Sequence, residues 1–262
     1  MLTRKLISGL AATVCLLAVA VDAAVVGDWK MNEGIGSVVG DSSGNNYDFS
    51  FVGAGYSWTS TSGGLTAAPL NAAYLHTTIA NNLFQYQMTV EAWVKPTLKP
   101  LDAANDRVSQ FVGLEGAFGF AIVGDGTVLR FLTINADLYH DAQVYIAGWN
   151  YDLYDGNFHH VVGVFDGIRD ANGKVTNSIY IDGTLAVSTP YVAASNVFVG
   201  GATGLTGTNL YFGQNAGAPD WTTQNFVGDV YGVRLTNAIP EPVAFSVLAL
   251  GGLALLRRRK AF

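Results

Sequence analysis

Residues 178–188 read Ser-Ile-Tyr-Ile-Asp-Gly-Thr-Leu-Ala-Val-Ser, which places an Asp-Gly pair between two short apolar runs. Asp182-Gly183 is typical of a two-residue type I′ turn, because both positions of that turn need a positive φ angle. The run Ile179–Ile181 has the β-branched and aromatic residues that strands favour, and Leu185–Val187 is apolar. The stretch therefore predicts a β-hairpin with strands at Ser178–Ile181 and Thr184–Ser188.

The chain on both sides of this hairpin repeats the same pattern of short apolar runs broken by Gly, Asn and Asp, and no long stretch has a 3.6-residue apolar period. Such a pattern predicts an all-β sandwich or barrel. A further turn is expected at Gly124–Gly126, and the Gly, Ser and Thr of Tyr56–Ala68 predict a long surface loop. The other predicted strands are Val25–Met31, Tyr47–Val52, Ala73–Leu75, Met88–Lys95, Val108–Leu114, Phe118–Val123, Val128–Ile134, Ala142–Ile146, His159–Asp166, Asn209–Phe212 and Phe226–Leu235.

The first 23 residues have the composition of a secretory signal peptide. Arg4 and Lys5 are followed by an apolar run from Leu6 to Val21, and small residues end at Ala23. A cationic start, an apolar core and a small-residue cleavage site are the features of such peptides. We therefore expect residues 1–23 to be a signal peptide and residues 24–238 to be one exported domain.

The last 24 residues, 239–262, carry Pro240-Glu241-Pro242, an uncharged run from Val243 to Leu256, and the cations Arg257, Arg258, Arg259 and Lys260. This order resembles the PEP-CTERM sorting signal of Gram-negative bacteria. The resemblance implies handling by an exosortase-type protease, transient anchoring in the inner membrane, and then a place at the cell surface or in the extracellular matrix. At 14 residues the apolar run 243–256 is short for a transmembrane helix, which needs about 20. An ordinary single-span anchor that is never cut stays open as the alternative.

The charge of the expected domain excludes one class of partner. Residues 24–238 contain eight Lys and Arg against 18 Asp and Glu, a net charge of −10. No basic patch is left for nucleic acid. The single cysteine, Cys15, lies in the expected signal peptide, so the domain must fold without disulfides.

Four local patterns occur in an order that resembles laminin-G-like, concanavalin A-like jelly-roll domains. They are Gly27–Gly34 with Asp41–Asn46, Met88–Pro96, Phe158–Val162 leading into Ile179–Gly183, and Asn209–Gly213 with Phe226–Arg234. The resemblance covers residues 24–237 and implies a two-sheet antiparallel sandwich with an adhesive or glycan-binding role. Tyr231-Gly232 stands where the family usually has an Asp-Glu pair, which puts a family-type calcium site in doubt.

Catalysis by a glucanase of this fold needs two carboxylates about 5–9.5 Å apart. On one strand such a pair has a spacing of two or four residues. The expected domain has three glutamates, Glu33, Glu91 and Glu115, and none has an acid at those spacings. We therefore expect no enzyme, and a glucanase-like glycoside hydrolase is the weakest of the alternatives.

Metal sites have weak support. Neighbouring strand residues point to opposite faces, so His159 and His160 are not expected to share a metal ion; one should be packed or cap a turn and the other should be exposed. The loop 41–45 offers Asp41 and Asn45 as oxygen ligands, which suit a hard cation such as calcium. We predict calcium there as the only candidate cofactor.

Loop aromatics are the remaining indication of a ligand. Trp149, Tyr151 and Tyr154 cluster in sequence, and Trp221 follows Pro219-Asp220. Flat rings beside polar groups suit sugar recognition, although such rings also cover the ends of sandwiches. The sequence predicts an exported, non-enzymatic surface or matrix protein that binds glycans or is adhesive. A structural matrix protein without a specific ligand is the alternative.

Overall fold

The computed structural model describes residues 24–53, 55–58, 64–67, 74–79, 84, 86–98, 108–134, 139–148, 150–193, 209–213 and 225–239. The expected signal peptide and residues 240–262 of the tail lie outside these ranges. Within them, the chain has no helix with the length and apolar character that a bilayer crossing requires.

Two antiparallel sheets of eight strands each make up the described structure. Sheet 1 has the order β14-β13-β12-β7-β16-β5-β4, and β1 pairs with the second half of β16. Its strands are β1 (Val25–Trp29), β4 (Tyr56–Trp58), β5 (Leu65–Ala67), β7 (Gln87–Pro96), β12 (His159–Asp166), β13 (Lys174–Ile181), β14 (Thr184–Val192) and β16 (Gly228–Thr236).

Sheet 2 has the order β11-β10-β9-β8-β15-β6-β3-β2. Its strands are β2 (Val38–Val39), β3 (Phe49–Val52), β6 (Tyr74–Thr78), β8 (Ser109–Leu114), β9 (Phe118–Val123), β10 (Val128–Ile134), β11 (Tyr139–Tyr145) and β15 (Asn209–Phe212). The two-sheet antiparallel architecture confirms the predicted all-β sandwich.

The Asp182-Gly183 hairpin forms as predicted. Ile181 pairs with Thr184 across a two-residue turn, and Asp182 and Gly183 have φ angles of 51° and 79°. Further along the hairpin the pairing shifts between Ile179 and Tyr180. This bulge leaves Ala186 as the extra residue of β14, which is the edge strand of sheet 1.

Aromatic rings fill the space between the sheets. Phe120 makes edge contacts with Phe111 and Phe131, at centroid distances of 5.7 and 5.5 Å. The ring of Phe131, from sheet 2, lies directly over Gly163 of sheet 1, where a Cβ atom would come within 2.5 Å of it. A glycine on β12 therefore makes room for a phenylalanine from the opposite sheet.

One predicted loop is wrong. The stretch Tyr56–Ala68 contains β4 and β5, which pair with each other and extend sheet 1 beyond β16. Gly, Ser and Thr are frequent in loops, so this composition predicted a loop where two three-residue strands form. The short strand β2 was also not predicted, because two valines are too few to show alternation.

The chain folds back onto sheet 1 after β16. The hydroxyls of Thr89 and Thr236 both donate to the carbonyl oxygen of Ala238, at 2.8 and 3.1 Å. Ile239 packs against Val162 and Val164, which face outward from the sheet and are nonetheless buried. The last described residues are thus held against the outer face of sheet 1.

Candidate functional site

A short loop between β11 and β12 carries the aromatic residues on which the sequence interpretation depends. Ala147 forms a β-bridge with Asp152, and the amide of Leu153 donates to the carbonyl of Ile146 at 3.2 Å. The side chain of Leu153 is fully buried. The loop is therefore a small folded excursion that is anchored in the core.

A groove of about 320 Å³ lies between this loop and the neighbouring edges of the two sheets. We call it the Tyr151 groove. Its described lining residues are Val144, Tyr145, Asn150, Tyr151 and Ala186.

Strand β11, the loop after it and strand β14 each contribute one side of the Tyr151 groove. Tyr145 ends β11 at the edge of sheet 2 and is 58% exposed, while Asn150 and Tyr151 come from the loop. Ala186, the bulge residue of β14, is small enough to leave space opposite them. Two aromatic rings and an amide therefore border one concave surface, with an apolar wall behind them.

Tyr154 has a different place from the one predicted from its spacing to Tyr151. Its phenol donates to the carbonyl of Gly126 at 2.6 Å, and its backbone amide donates to Asp152 Oδ1 at 2.9 Å. Its ring packs against the hydrophobic core. Tyr154 thus supports the loop, and it is not among the described residues that line the groove.

His159 fixes the end of the loop. Its Nδ1 lies 2.9 Å from Asp182 Oδ2 and its Nε2 lies 3.1 Å from Asp155 Oδ1. Burial lowers the pKa of this imidazole, but hydrogen bonds and charge from Asp182, and then from Asp155, outweigh it and leave the pKa raised. The imidazole therefore joins the loop to the Asp182-Gly183 turn.

The prediction for the two histidines is confirmed in one respect and wrong in another. His160 is buried, 3.0 Å from Glu91 and stacked on Trp93 with centroids 4.3 Å apart, so the histidines do face different surroundings. His159, however, is 12% exposed rather than free in solvent. In the described parts of the chain no three His, Cys, Asp or Glu side chains converge as a metal site.

The loop at Asp41 is organised by hydrogen bonds to one carboxylate. Oδ1 accepts the amides of Asp28 and Ser43 at 3.0 and 2.8 Å, and Oδ2 accepts the Ser43 hydroxyl and the Tyr47 amide at 2.7 and 3.1 Å. Burial raises the pKa of Asp41, but these donors outweigh it and hold the pKa below its ordinary value.

Asn45 completes the same loop. Its side-chain amide donates to the carbonyls of Val25 and Val26 at 3.1 and 3.0 Å, so it ties the loop to β1. Calcium at Asp41 and Asn45 stays a prediction. The contacts described give both side chains a role in holding the loop to the first strand.

Several predicted positions lie outside the described residues. They are Trp149, Trp221, Pro240, Glu241, Pro242, Arg257, Arg258 and Arg259. Conversely, sequence reasoning missed Tyr145, Asn150 and Ala186 as members of one groove. Tyr145 ends a strand of alternating pattern, but its approach to Ala186 depends on a bulge and on the packing of two sheet edges, which no local pattern indicates.

Comparison with known proteins agrees with this architecture. A family model described as the concanavalin A-like lectin/glucanases superfamily, Laminin_G_3, matches residues 70–240. No curated protein sequence matches the chain significantly.

Similar solved structures include botulinum neurotoxin domains. The binding domain of botulinum neurotoxin DC in complex with rat synaptotagmin II matches with a TM-score of 0.60 at 12% identity, covering 87% of this chain and 51% of that one. The receptor binding domain of the C/D mosaic serotype gives 0.62 at 9%, with the same coverage. A structure titled "Cell entry of botulinum neurotoxin type C is dependent upon interaction with two ganglioside molecules" gives 0.59 at 10%, again with 87% and 51%. The chain spans about half the length of these chains, and identities this low show the fold alone.

Proposed function

Because the chain belongs to the concanavalin A-like lectin/glucanase superfamily, we propose that it is a non-enzymatic glycan-binding protein whose ligand enters the Tyr151 groove. The observation that carries this proposal is the pairing of two tyrosine rings with the Asn150 amide around one groove of about 320 Å³. A sugar presents an apolar ring face and hydroxyls at its edge. Tyrosine and asparagine offer the complementary surfaces.

The construction of the loop supports the same proposal. A binding site gains affinity when its groups are already held in place before the ligand arrives. Tyr154 and His159 hold the loop at two points, and Leu153 anchors it in the core. The similar neurotoxin structures also include one whose title names two ganglioside molecules, which are glycan-bearing ligands of that protein.

The test is a glycan array probed with the full-length chain in detergent, followed by titration of the best ligand. We expect Tyr145→Ala and Tyr151→Ala each to weaken binding by about tenfold, the loss that ~1.4 kcal/mol of contact represents. Ile35→Ala is the control, because Ile35 is 81% exposed and is not among the residues that line the groove. Tyr145 is largely exposed, so its variant should keep the wild-type melting temperature.

Three results would contradict the proposal. An array without any bound glycan would favour the alternative of a structural matrix protein. Wild-type affinity in both tyrosine variants, with unchanged melting temperature, would remove the groove as the site. Release of reducing sugar from mixed polysaccharides would instead support the glucanase alternative.

We also propose that residues 1–23 direct export and that residues 239–262 sort the protein. The cations at both ends support one topology, with both charged ends cytoplasmic under the positive-inside rule. Pro240 and Pro242 oppose a regular helix and favour an extended segment, which suits recognition by an exosortase-type protease. The protein would then move from a transient inner-membrane form to the cell surface or the extracellular matrix.

The sorting proposal has its own test. Replacing Pro240, Glu241 and Pro242 with alanine should leave export intact and trap an uncut inner-membrane form. Neutralising Arg257–Lys260 should instead release uncut protein. A mature wild-type species whose intact mass still includes Phe262 would reduce the tail to a plain membrane anchor.

A further inference from the structure

His159 joins two of the three elements that form the Tyr151 groove. Its ring lies between Asp155 of the loop and Asp182 of the turn from β13 to β14, at 3.1 and 2.9 Å. Tyr151, which lines the groove, precedes Asp155 by four residues, and Ala186, on the opposite side, follows Asp182 by four residues. The imidazole therefore links the wall that carries Tyr151 to the wall that carries Ala186.

Neighbouring residues hold both carboxylates in place. Asp182 Oδ1 accepts the amide of His160 at 2.9 Å, which leaves Oδ2 for the imidazole. Asp155 accepts the backbone amide and the side-chain amide of Asn157 at 2.7 and 2.8 Å. Each carboxylate is thus oriented by its own part of the chain, and the ring of His159 is the group that spans the distance between them.

The chemistry of these three groups makes the link depend on one proton. An ionised carboxylate only accepts hydrogen bonds, so a ring nitrogen that faces one must donate. An imidazolium donates from both nitrogens, whereas a neutral imidazole donates from one and accepts at the other. A neutral His159 therefore keeps one of the two bonds and turns a lone pair towards the other carboxylate. Burial lowers the pKa of His159, but Asp182 and Asp155 outweigh it and leave the pKa raised, which agrees with this geometry.

Other charged groups near the ring have partners of their own. On β12, the next residue, His160, faces the other side of sheet 1 and pairs with Glu91 at 3.0 Å. On β7, the residue that pairs with His159 is the uncharged Val94. In the loop, Asp152 accepts a backbone amide. Within the described part of the chain, the charges that face the ring are thus the two carboxylates that it joins.

We propose that the protonation of His159 sets the affinity of the Tyr151 groove, which binds glycan more tightly with the imidazolium than with the neutral ring. His159 is a positioning residue, because it is not among the described residues that line the groove and acts by holding two of its walls together. The inference rests on the proposed glycan-binding function and adds the regulation of that site. Linkage is reciprocal, so a glycan that prefers the imidazolium form must also promote the uptake of a proton.

The experiment titrates the full-length chain in detergent with laminarihexaose, cellohexaose and mannohexaose, using calorimetry at pH 5.5 and at pH 8.5. We expect the best of these probes to bind about fivefold or more tightly at the lower pH, which is the lower end of the coupling that linked sites show. At pH 7.5, in buffers with different ionisation enthalpies, binding should take up protons.

Asp182→Asn is the decisive variant, because it changes the chemistry of the link and keeps the turn. The new side-chain oxygen still accepts the amide of His160, and the new side-chain nitrogen donates to a neutral His159, so both bonds to the ring survive without its second proton. Asn-Gly suits this two-residue turn as well as Asp-Gly does. The affinity of Asp182→Asn at pH 8.5 should therefore stay close to its affinity at pH 5.5.

Two further variants separate the ring from other titrating groups. His159→Gln should bind weakly at both pH values, because one amide cannot donate to two carboxylates from opposite sides. His76→Gln is the matched control, since His76 lies on β6 of sheet 2, hydrogen-bonded to Asn209, and this variant should keep the wild-type pH dependence. Melting temperatures at both pH values distinguish a loosened loop from an unfolded domain.

Three results would overturn the inference and leave the groove as a glycan site. They are equal wild-type affinity at both pH values, a loss of affinity at pH 8.5 in Asp182→Asn as large as in wild type, and a pH dependence that disappears in His76→Gln. Absence of binding by every hexasaccharide at both pH values would instead overturn the proposed function together with its regulation.

Discussion

The phenol of Tyr154 donates a 2.6 Å hydrogen bond to the carbonyl oxygen of Gly126. These residues lie in different loops, 28 positions apart. The bond therefore ties the loop that carries Tyr151 to the turn between β9 and β10.

We expect Tyr154→Phe to lower the free energy of unfolding by about 1 kcal/mol, because the Gly126 carbonyl loses its phenol donor. In a domain of this size that loss lowers the melting temperature by about 2–4 °C. Glycan affinity should fall a few-fold, because the loop is held less firmly. Tyr145→Phe is the control and should keep wild-type stability. Equal melting temperatures for wild type and Tyr154→Phe would contradict the structural role.

The contacts of His159 predict a dependence of stability on pH. The pKa of His159 is raised above its ordinary 6.5 in the folded state. The stability that His159 contributes is therefore fully present below pH 6.5 and is lost as the pH rises through the folded pKa. Burial raises the pKa of Asp182, but hydrogen bonds from His159 and His160 outweigh burial and leave that pKa lowered. The pKa of Asp155 is also lowered, first of all by a hydrogen bond from Asn157. These two contributions are complete above pH 3.8 and are lost as the pH falls through the folded pKa values.

The cluster should therefore stabilise the fold most between about pH 4 and 6.5. The effect should stay below ~1 kcal/mol, because both carboxylates are partly exposed to solvent. Urea unfolding between pH 5 and 9 measures it. His159→Gln should flatten the loss of stability above pH 6.5, and an unchanged pH profile in that variant would assign the dependence to another group.

Gly163→Ala should destabilise the sandwich by about 1–3 kcal/mol, because its methyl would overlap the ring of Phe131, whose nearest atoms are 2.5–2.8 Å from the Cβ position. Urea denaturation measures the loss. The matched control is Gly119→Ala, which should be nearly neutral because its methyl would meet nothing nearer than 3.8 Å. If the two variants were equally stable, the sheets would be separated more widely at Phe131 than described.

Asp41→Ala should lower the free energy of unfolding by about 2 kcal/mol in the presence of EDTA, because four donors lose their acceptor. Asp41→Asn keeps one acceptor oxygen and should lose less. Both losses should be the same in millimolar calcium, since the hydrogen bonds need no metal. A loss that appears only with calcium would instead give Asp41 the metal-binding role predicted from the sequence.

The strands were predictable where turn chemistry and alternation agree. The Asp182-Gly183 pair alone predicts the two-residue turn that forms. The first and last residues of β9, β10, β12 and β15 are the ones predicted from the sequence. The pair β4 and β5 was not, because each strand has only three residues within a stretch rich in Ser, Thr and Gly. β5 pairs with β16 and β4 pairs with β5, and this pairing stabilises them more than local preference does. Strand formation there is a consequence of tertiary pairing.

The candidate site was predictable only in part. Tyr151 follows from the preference of binding sites for flat rings with polar edges. Tyr154 has the same residue type and a nearby position, and both rings pack against the core. The hydroxyl of Tyr154, however, donates to Gly126, and Tyr154 is not among the described residues that line the groove. Sequence spacing in a loop does not determine which way a side chain points, so neighbouring aromatics could not be separated without the fold.

The two hydroxyls that hold the Ala238 carbonyl also fix the face of the domain on which the last described residue lies. Residue 239 lies on the outer face of sheet 1, on the opposite side of the sandwich from the outer face of sheet 2. A protein held at its carboxyl-terminal side would therefore stand with sheet 1 towards its attachment and sheet 2 towards the surroundings. An attachment on that side would then take up no space on the outer face of sheet 2.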